Sequence, residues 1–224
     1  VTTLGTTYPI VAAPSAPSRI HLDFELMPRS ALRRVCVFCG SNPGARPEYA
    51  GAARELVREL VERGHGLVYG GGNVGLMGIV ADAVMEAGGE AIGVIPDALM
   101  AREAGHRGLT ELHVVRTMHE RKAMMADLAD AFVALPGGFG TFEEFCEVLT
   151  WSQLGFHPKA CGLLNVAGYY DPLLALFDRG VEEGFITAKH RQLVIEHTDP
   201  ARLLDAIAEY APISASKWIG TGER

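Results

Sequence analysis

The sequence predicts an α/β protein, a doubly wound and mostly parallel sheet of about seven strands flanked by helices. Three observations carry that expectation. From Arg34 onward, short β-rich runs alternate with stripes of helical period. Several of the runs are continuously apolar, as strands buried on both faces of a parallel sheet are. Glycine, 26 of the 224 residues, clusters where runs give way to stripes, and in such folds ligands bind beyond the carboxyl ends of the strands.

The elements follow in order. Residues 1–33 stand outside the pattern: Val1 to Ser18 is rich in Thr, Pro, Ala and Ser, and a mobile N-terminal extension is expected. It lacks the basic start of a secretory signal, and its apolar stretch, Ile10 to Ala13, is too short for one. Met27, opening "MPRSALRR", reads as an alternative start. Residues 34–224 are expected to form a single domain. Strands are expected at Val35–Cys39, Gly66–Gly70, Ala91–Ile95, Leu112–Val115, Ala131–Leu135, Gly162–Val166 and Leu193–Glu196. Tyr49, Ala52, Ala53, Leu56, Val57 and Leu60 make the first helical stripe, with Pro47 suited to its first turn and Gly64 to its stop. Leu76, Ile79, Val80, Ala83, Val84 and Ala87 repeat that spacing before Gly88. Asp171-Pro172 and Asp199-Pro200 each read as an N-cap followed by proline at the first helical position.

Composition narrows the function. A chain of 224 residues buries a sizeable core without staples. No apolar run approaches the ~18 residues that cross a bilayer, so no membrane partner is expected, and the expected location is the cytoplasm. A formal net charge of −7 makes a poor non-specific nucleic-acid binder but permits a basic pocket for a small anion. The four cysteines are too few and scattered for a disulfide scaffold. Cys36 and Cys39 form C-x-x-C inside a strand, where they point to opposite faces, so neither redox nor zinc chemistry is expected. "HERKA" lacks the second histidine of a zinc-protease helix, and the other histidines lack metal-ligand partners at useful spacing, so no metal is expected.

Two glycine-rich turns remain. In "GGGNVGLMG", Gly70, Gly72 and Gly75 match G-x-G-x-x-G, and Asp97 follows at the end of the next strand. That pattern alone is weak: Gly71 and Gly72 read either as part of a dinucleotide turn or as packing glycines. "ALPGGFGTFEEF" is sharper. Gly137, Gly138 and Gly140 at a helix start leave backbone N–H groups uncovered, and the helix dipole favours an anion such as phosphate. The Walker A pattern is absent, so triphosphate chemistry is not expected. Thr141 and Glu144 fit a capping box, or else Glu144 is a carboxylate beside a phosphate pocket, able to hold a water or face a developing cation. Arg121 and Lys122 interrupt the apolar stripe of Met118, Met125, Leu128 and Ala129; their stems either snorkel to solvent or bring charge to a phosphate or ribose.

The segments "CVFCGSNPG", "LVYGGGNVGLMGIVADAV", "GVIPDALMAREAGH", "LTELHVVRTMHERKAMM", "LADAFVALPGGFGTFEEFCEVLTWSQLG" and "GLLNVAGYYDPLL", with the hallmark P-G-G-x-G-T-x-x-E, together closely resemble the LONELY GUY (LOG) family of cytokinin riboside 5′-monophosphate phosphoribohydrolases. The resemblance spans most of Val35 to Ile186. It implies a Rossmann-like nucleotide-binding domain that hydrolyses the N-glycosidic bond of an adenine-type nucleoside 5′-monophosphate without metal or cofactor. It also implies a homodimer with the site near the subunit interface. Carried over by position, Arg121 and Glu144 match the catalytic pair. Glu103, Lys122, the stretch Gly137, Gly138, Phe139, Gly140, Thr141, Phe142 and Glu143, and Thr150 match substrate-binding positions. The chief rival is a non-catalytic nucleotide or cofactor carrier like the molybdenum cofactor carrier proteins, which share a P-G-G-x-G-T loop. A nicotinamide oxidoreductase is a second. A lysine decarboxylase is disfavoured, because none of the four lysines sits in a recognisable cofactor motif.

Overall fold

A computed structural model describes residues 32–100 and 105–213; the expectations for residues 1–31, for Glu103 and for residues 214–224 lie outside the described residues. Strands β1 (Arg34–Phe38), β2 (Gly66–Tyr69), β3 (Ala91–Pro96), β4 (Glu111–Val115), β5 (Ala131–Ala134), β6 (Ala160–Leu164) and β7 (Val194–His197) form one sheet in the order β4-β3-β2-β1-β5-β6-β7. Every pairing is parallel. The doubly wound expectation holds, and its physical basis is visible in the strands: Val35 and Val37 face one core, Cys36 and Phe38 the other. Cys39 lies in the core opposite to that of Cys36, as expected.

Helices α1 (Pro47–Glu62), α2 (Gly75–Glu86) and α8 (Pro200–Glu209) cover the first face through Leu56, Val80 and Leu203. Helices α4 (Met118–Leu128), α5 (Phe139–Gln153) and α6 (Asp171–Glu182) cover the second through Met125, Phe145 and Leu174. The short α3 (Asp97–Met100) and α7 (Ala188–Arg191) complete the described helices, apart from a 3₁₀ turn at Val166–Gly168. Asp199 caps α8 as expected, accepting the Arg202 N–H at 2.9 Å.

Two expectations need correction. Strand β6 begins and ends two residues earlier than the expected 162–166, because Asn165 opens a corner in which Ala167 adopts a left-handed conformation, φ 51°. Asp171 is the first helical residue of α6, not its N-cap; its carboxylate accepts the Asn165 side-chain amide at 2.7 Å. Strand β4 forms the sheet edge, so Val114 is 53% exposed despite its apolar run.

The strand order also locates the site. Successive connections run outward from β1 to β4, and α4 then returns across β3, β2 and β1 to deliver β5 on the other side of β1. The chain changes direction there, so the turns after β1 and β5 diverge and open a crevice at their carboxyl ends.

Candidate active site

That crevice is a cleft of about 280 Å³, walled by the end of β1, Gly70, Arg121 and the start of α5 from Gly138 to Thr141 with Glu143 and Glu144. The Gly40 N–H donates to the Pro136 carbonyl at 3.1 Å and staples its two loops. Glycine is required at 137: a Cβ there would collide with the Thr141 side chain and lie 2.9 Å from the Gly40 nitrogen. Helix α5 starts at Phe139, with Gly138 as an N-cap that offers no side-chain bond. The amides of its first turn therefore have no intrahelical acceptor, and the positive end of the dipole faces the cleft.

The capping-box reading of Thr141 and Glu144 fails because the helix begins two residues before Thr141. Both side chains are buried instead, at 3% and 9% exposure. A capping threonine does stand at the head of α4: Thr117 accepts the Glu120 N–H at 3.1 Å, and Glu120 accepts the Arg116 N–H at 2.9 Å.

Arg121 does not snorkel. It is 6% exposed, donates Nη2–H to the Gly70 carbonyl at 3.3 Å, and lies 3.8 Å from Oε1 of Glu144. Its Nε has no hydrogen-bond partner among the described residues. A buried guanidinium with an unspent donor favours an added anion. Lys122 bridges two helices, its Nζ reaching Glu143 at 2.5 Å and Glu147 at 2.9 Å. Burial opposes its charge, yet hydrogen bonds to Glu143 and then Glu147 leave the ammonium above the usual lysine range.

The remaining expected residues divide. Gly137 and Gly138 form the turn, while Gly140 and the 92% exposed Phe139 stand at the rim. Phe142 turns away, its ring 6.3 Å from that of Tyr169. Thr150 is exposed and donates to the Cys146 carbonyl at 2.7 Å, outside the cleft of this chain. Gly71 and Gly72 are buried, and the turn they belong to is filled: a Cβ on Gly70 would strike the Arg121 guanidinium, and one on Gly71 would lie 3.0 Å from Ile95. Close packing accounts for glycine at positions 70 and 71. Cys39 lines the cleft, but burial, and next the Glu144 carboxylate, push its thiol up, so it is no thiolate nucleophile. Among the described residues no cluster of His, Cys, Asp and Glu could hold a metal.

Sequence reading took Met118 and Met125 only as a packing stripe, without their place in the cleft wall beside Met77 and Leu99, and it missed the two tyrosines behind the glycine turn, Tyr169 and Tyr170. The "GYYDP" run was their only signal.

The family model described as "Possible lysine decarboxylase" matches residues 77–207. The cytokinin riboside 5′-monophosphate phosphoribohydrolase LOG of Oryza sativa subsp. japonica is 53% identical over 184 residues, covering 82% of this chain and 76% of that protein. LOG2 of Arabidopsis thaliana, with the same enzyme name, is 50% identical over 184 residues, 82% of this chain and 86% of its own. Among solved structures, the molybdenum cofactor carrier protein of Chlamydomonas reinhardtii superposes with a TM-score of 0.61 over 80% of this chain and 97% of that one. At 22% identity that likeness speaks for the fold alone.

Proposed function

The chain belongs to the LOG family of cytokinin riboside 5′-monophosphate phosphoribohydrolases, and from that premise we propose how its own residues carry out the reaction. The enzyme hydrolyses the N-glycosidic bond of a cytokinin riboside 5′-monophosphate, and in our reading AMP as well, to free base and ribose 5-phosphate. The observation that carries the residue roles is the buried pair at the cleft floor, Arg121 3.8 Å from Glu144, beside the open N-terminus of α5.

In this reading the 5′-phosphate sits on the first-turn amides of α5, where the dipole and unpaired N–H groups favour an anion. As the C1′–N9 bond lengthens, its electron pair passes to the base nitrogen, which takes a proton, and positive charge grows on the ribose. The Glu144 carboxylate faces that charge and accepts a proton from the water that bonds to C1′. Arg121 clamps the ribose phosphate and orients Glu144. Lys122 ties α4 to α5 and holds the phosphate turn and the carboxylate in one frame. No cofactor is needed for these steps.

We also take the enzyme to be a homodimer, with the exposed Phe139 and Met118 beside the cleft offering apolar surface to a second copy. A cytoplasmic location goes with this reading; no described helix is long and apolar enough to cross a membrane.

The test is chromatographic detection of free base from purified protein given AMP or isopentenyladenosine 5′-monophosphate, with each unphosphorylated nucleoside as control. Release from the monophosphates alone is expected. Tight nucleotide binding without release would return the chain to the carrier reading.

A further inference from the structure

Behind the phosphate turn, on the side away from the cleft, two carbonyls are held by tyrosines. Tyr170 donates its hydroxyl hydrogen to the Leu135 carbonyl at 2.7 Å, and Tyr169 donates to the Gly137 carbonyl. Both tyrosines leave the corner after β6, which is itself rigid. Asn165 accepts the Tyr170 N–H at 2.8 Å and donates its side-chain amide to Asp171, while Ala167 and Gly168 turn the chain with φ of 51° and 70°. The Tyr169 ring is packed on three sides, with centroids 5.8 Å from Tyr49, 6.3 Å from Phe142 and 5.1 Å from Tyr170. Its hydroxyl therefore has little freedom to leave the carbonyl it meets.

The Gly137 carbonyl and the Gly138 N–H are the two ends of one trans peptide and point in opposite directions. Holding the carbonyl toward Tyr169 turns the N–H toward the cleft that Gly138 lines. Neither glycine has a side chain to oppose a peptide flip. A flipped peptide would present a carbonyl oxygen to an incoming anion. We propose that Tyr169 is a positioning residue for the 5′-phosphate: its hydroxyl locks the Gly137–Gly138 peptide so that the Gly138 N–H joins the first-turn amides of α5 as a phosphate donor. The proposal rests on the phosphoribohydrolase reading above. It places Tyr169 behind the turn, in contact with neither substrate nor the reacting atoms.

Tyr169→Phe removes one oxygen and keeps the packed ring, so the variant is expected to melt within a few degrees of the parent. Steady-state hydrolysis of AMP should show KM raised about tenfold, the loss of one charge-assisted hydrogen bond, with kcat little changed. Product inhibition by ribose 5-phosphate should weaken by the same factor, and inhibition by adenine should not change. Unaltered KM and ribose 5-phosphate inhibition would overturn the proposal. So would equal weakening toward ribose 5-phosphate and adenine, which marks general loosening, or a fall in kcat at constant KM. If the parent releases no base, the reaction reading fails on its own, and calorimetric titration of both proteins with ribose 5-phosphate still decides the role of Tyr169.

Discussion

Arg121 and Glu144 meet 3.8 Å apart across the point where the sheet reverses its winding, although strand β5 and the phosphate turn separate them along the chain. The meeting depends on the path of α4. That helix leaves the edge strand β4 and crosses three strands to reach β5, which carries Arg121 over the centre of the sheet. Glu144, one and a half turns into α5, faces it from the next helix on the same side.

Glu144→Gln keeps shape and burial but removes the proton acceptor. We expect turnover of AMP to fall about 10²- to 10⁴-fold, with the melting temperature and nucleotide affinity close to the parent. Arg121→Ala is expected to lose nucleotide affinity as well as turnover, since it removes the buried cation of the cleft. Rapid turnover in either folded variant would remove that residue from the mechanism; base release and equilibrium binding measure the two effects.

The glycines of the phosphate turn should separate by cause. Gly137→Ala forces a methyl into Thr141 and the Gly40 backbone, so thermal melting should show a clear loss of stability. A Cβ on Gly140 meets nothing within 4 Å. Gly140→Ala should therefore melt at or above the parent, by up to about 1 kcal/mol of helix preference, while KM is expected to rise because the methyl would stand beside the proposed 5′-phosphate position.

Lys122 links α4 to α5 through Glu143 and Glu147. Both the ammonium and Glu147 are largely shielded, whereas Glu143 is half exposed, so Glu147 should carry more of the coupling. A double-mutant cycle of Lys122→Met with Glu147→Gln should give a coupling of about 1 kcal/mol in chemical denaturation, larger than the same cycle with Glu143→Gln.

His157 sets an acid limit on stability. Burial, helped by Lys159, lowers its pKa from 6.5 to about 4, while its Nε2–H donates to the Val148 carbonyl at 2.9 Å. The unfolded chain takes up the proton at the higher value, so stability present above pH 6.5 is lost progressively as pH falls toward 4, and the loss is complete below that. The window is worth on the order of 2–3 kcal/mol. Denaturation from pH 7 to pH 4 should show this slope, and His157→Gln should flatten it.

Much of this was legible in the chain. Continuous apolar runs and 3.6-residue stripes located all seven strands to within two residues, because burial on both faces imposes composition locally. The glycine-rich turn before α5 was legible because glycines cluster between an apolar run and a helical stripe. The two readings of Glu144 could not be separated from the sequence, since a capping box and a carboxylate beside an anion pocket share one spacing and differ only in where the helix begins. The same limit applied to Gly70–Gly75, where the sequence could not show that a Cβ at 70 would meet the Arg121 guanidinium from α4.

Sequence alone determined the α/β class, the acidic balance, the order of the elements and the family, all properties of residues near one another in the chain. Tertiary structure decided which residues meet. The edge position of β4, the Arg121–Glu144 approach and the tyrosines behind Gly137 all depend on strand order and on one long crossover. These are contacts between distant segments, and no local period encodes them.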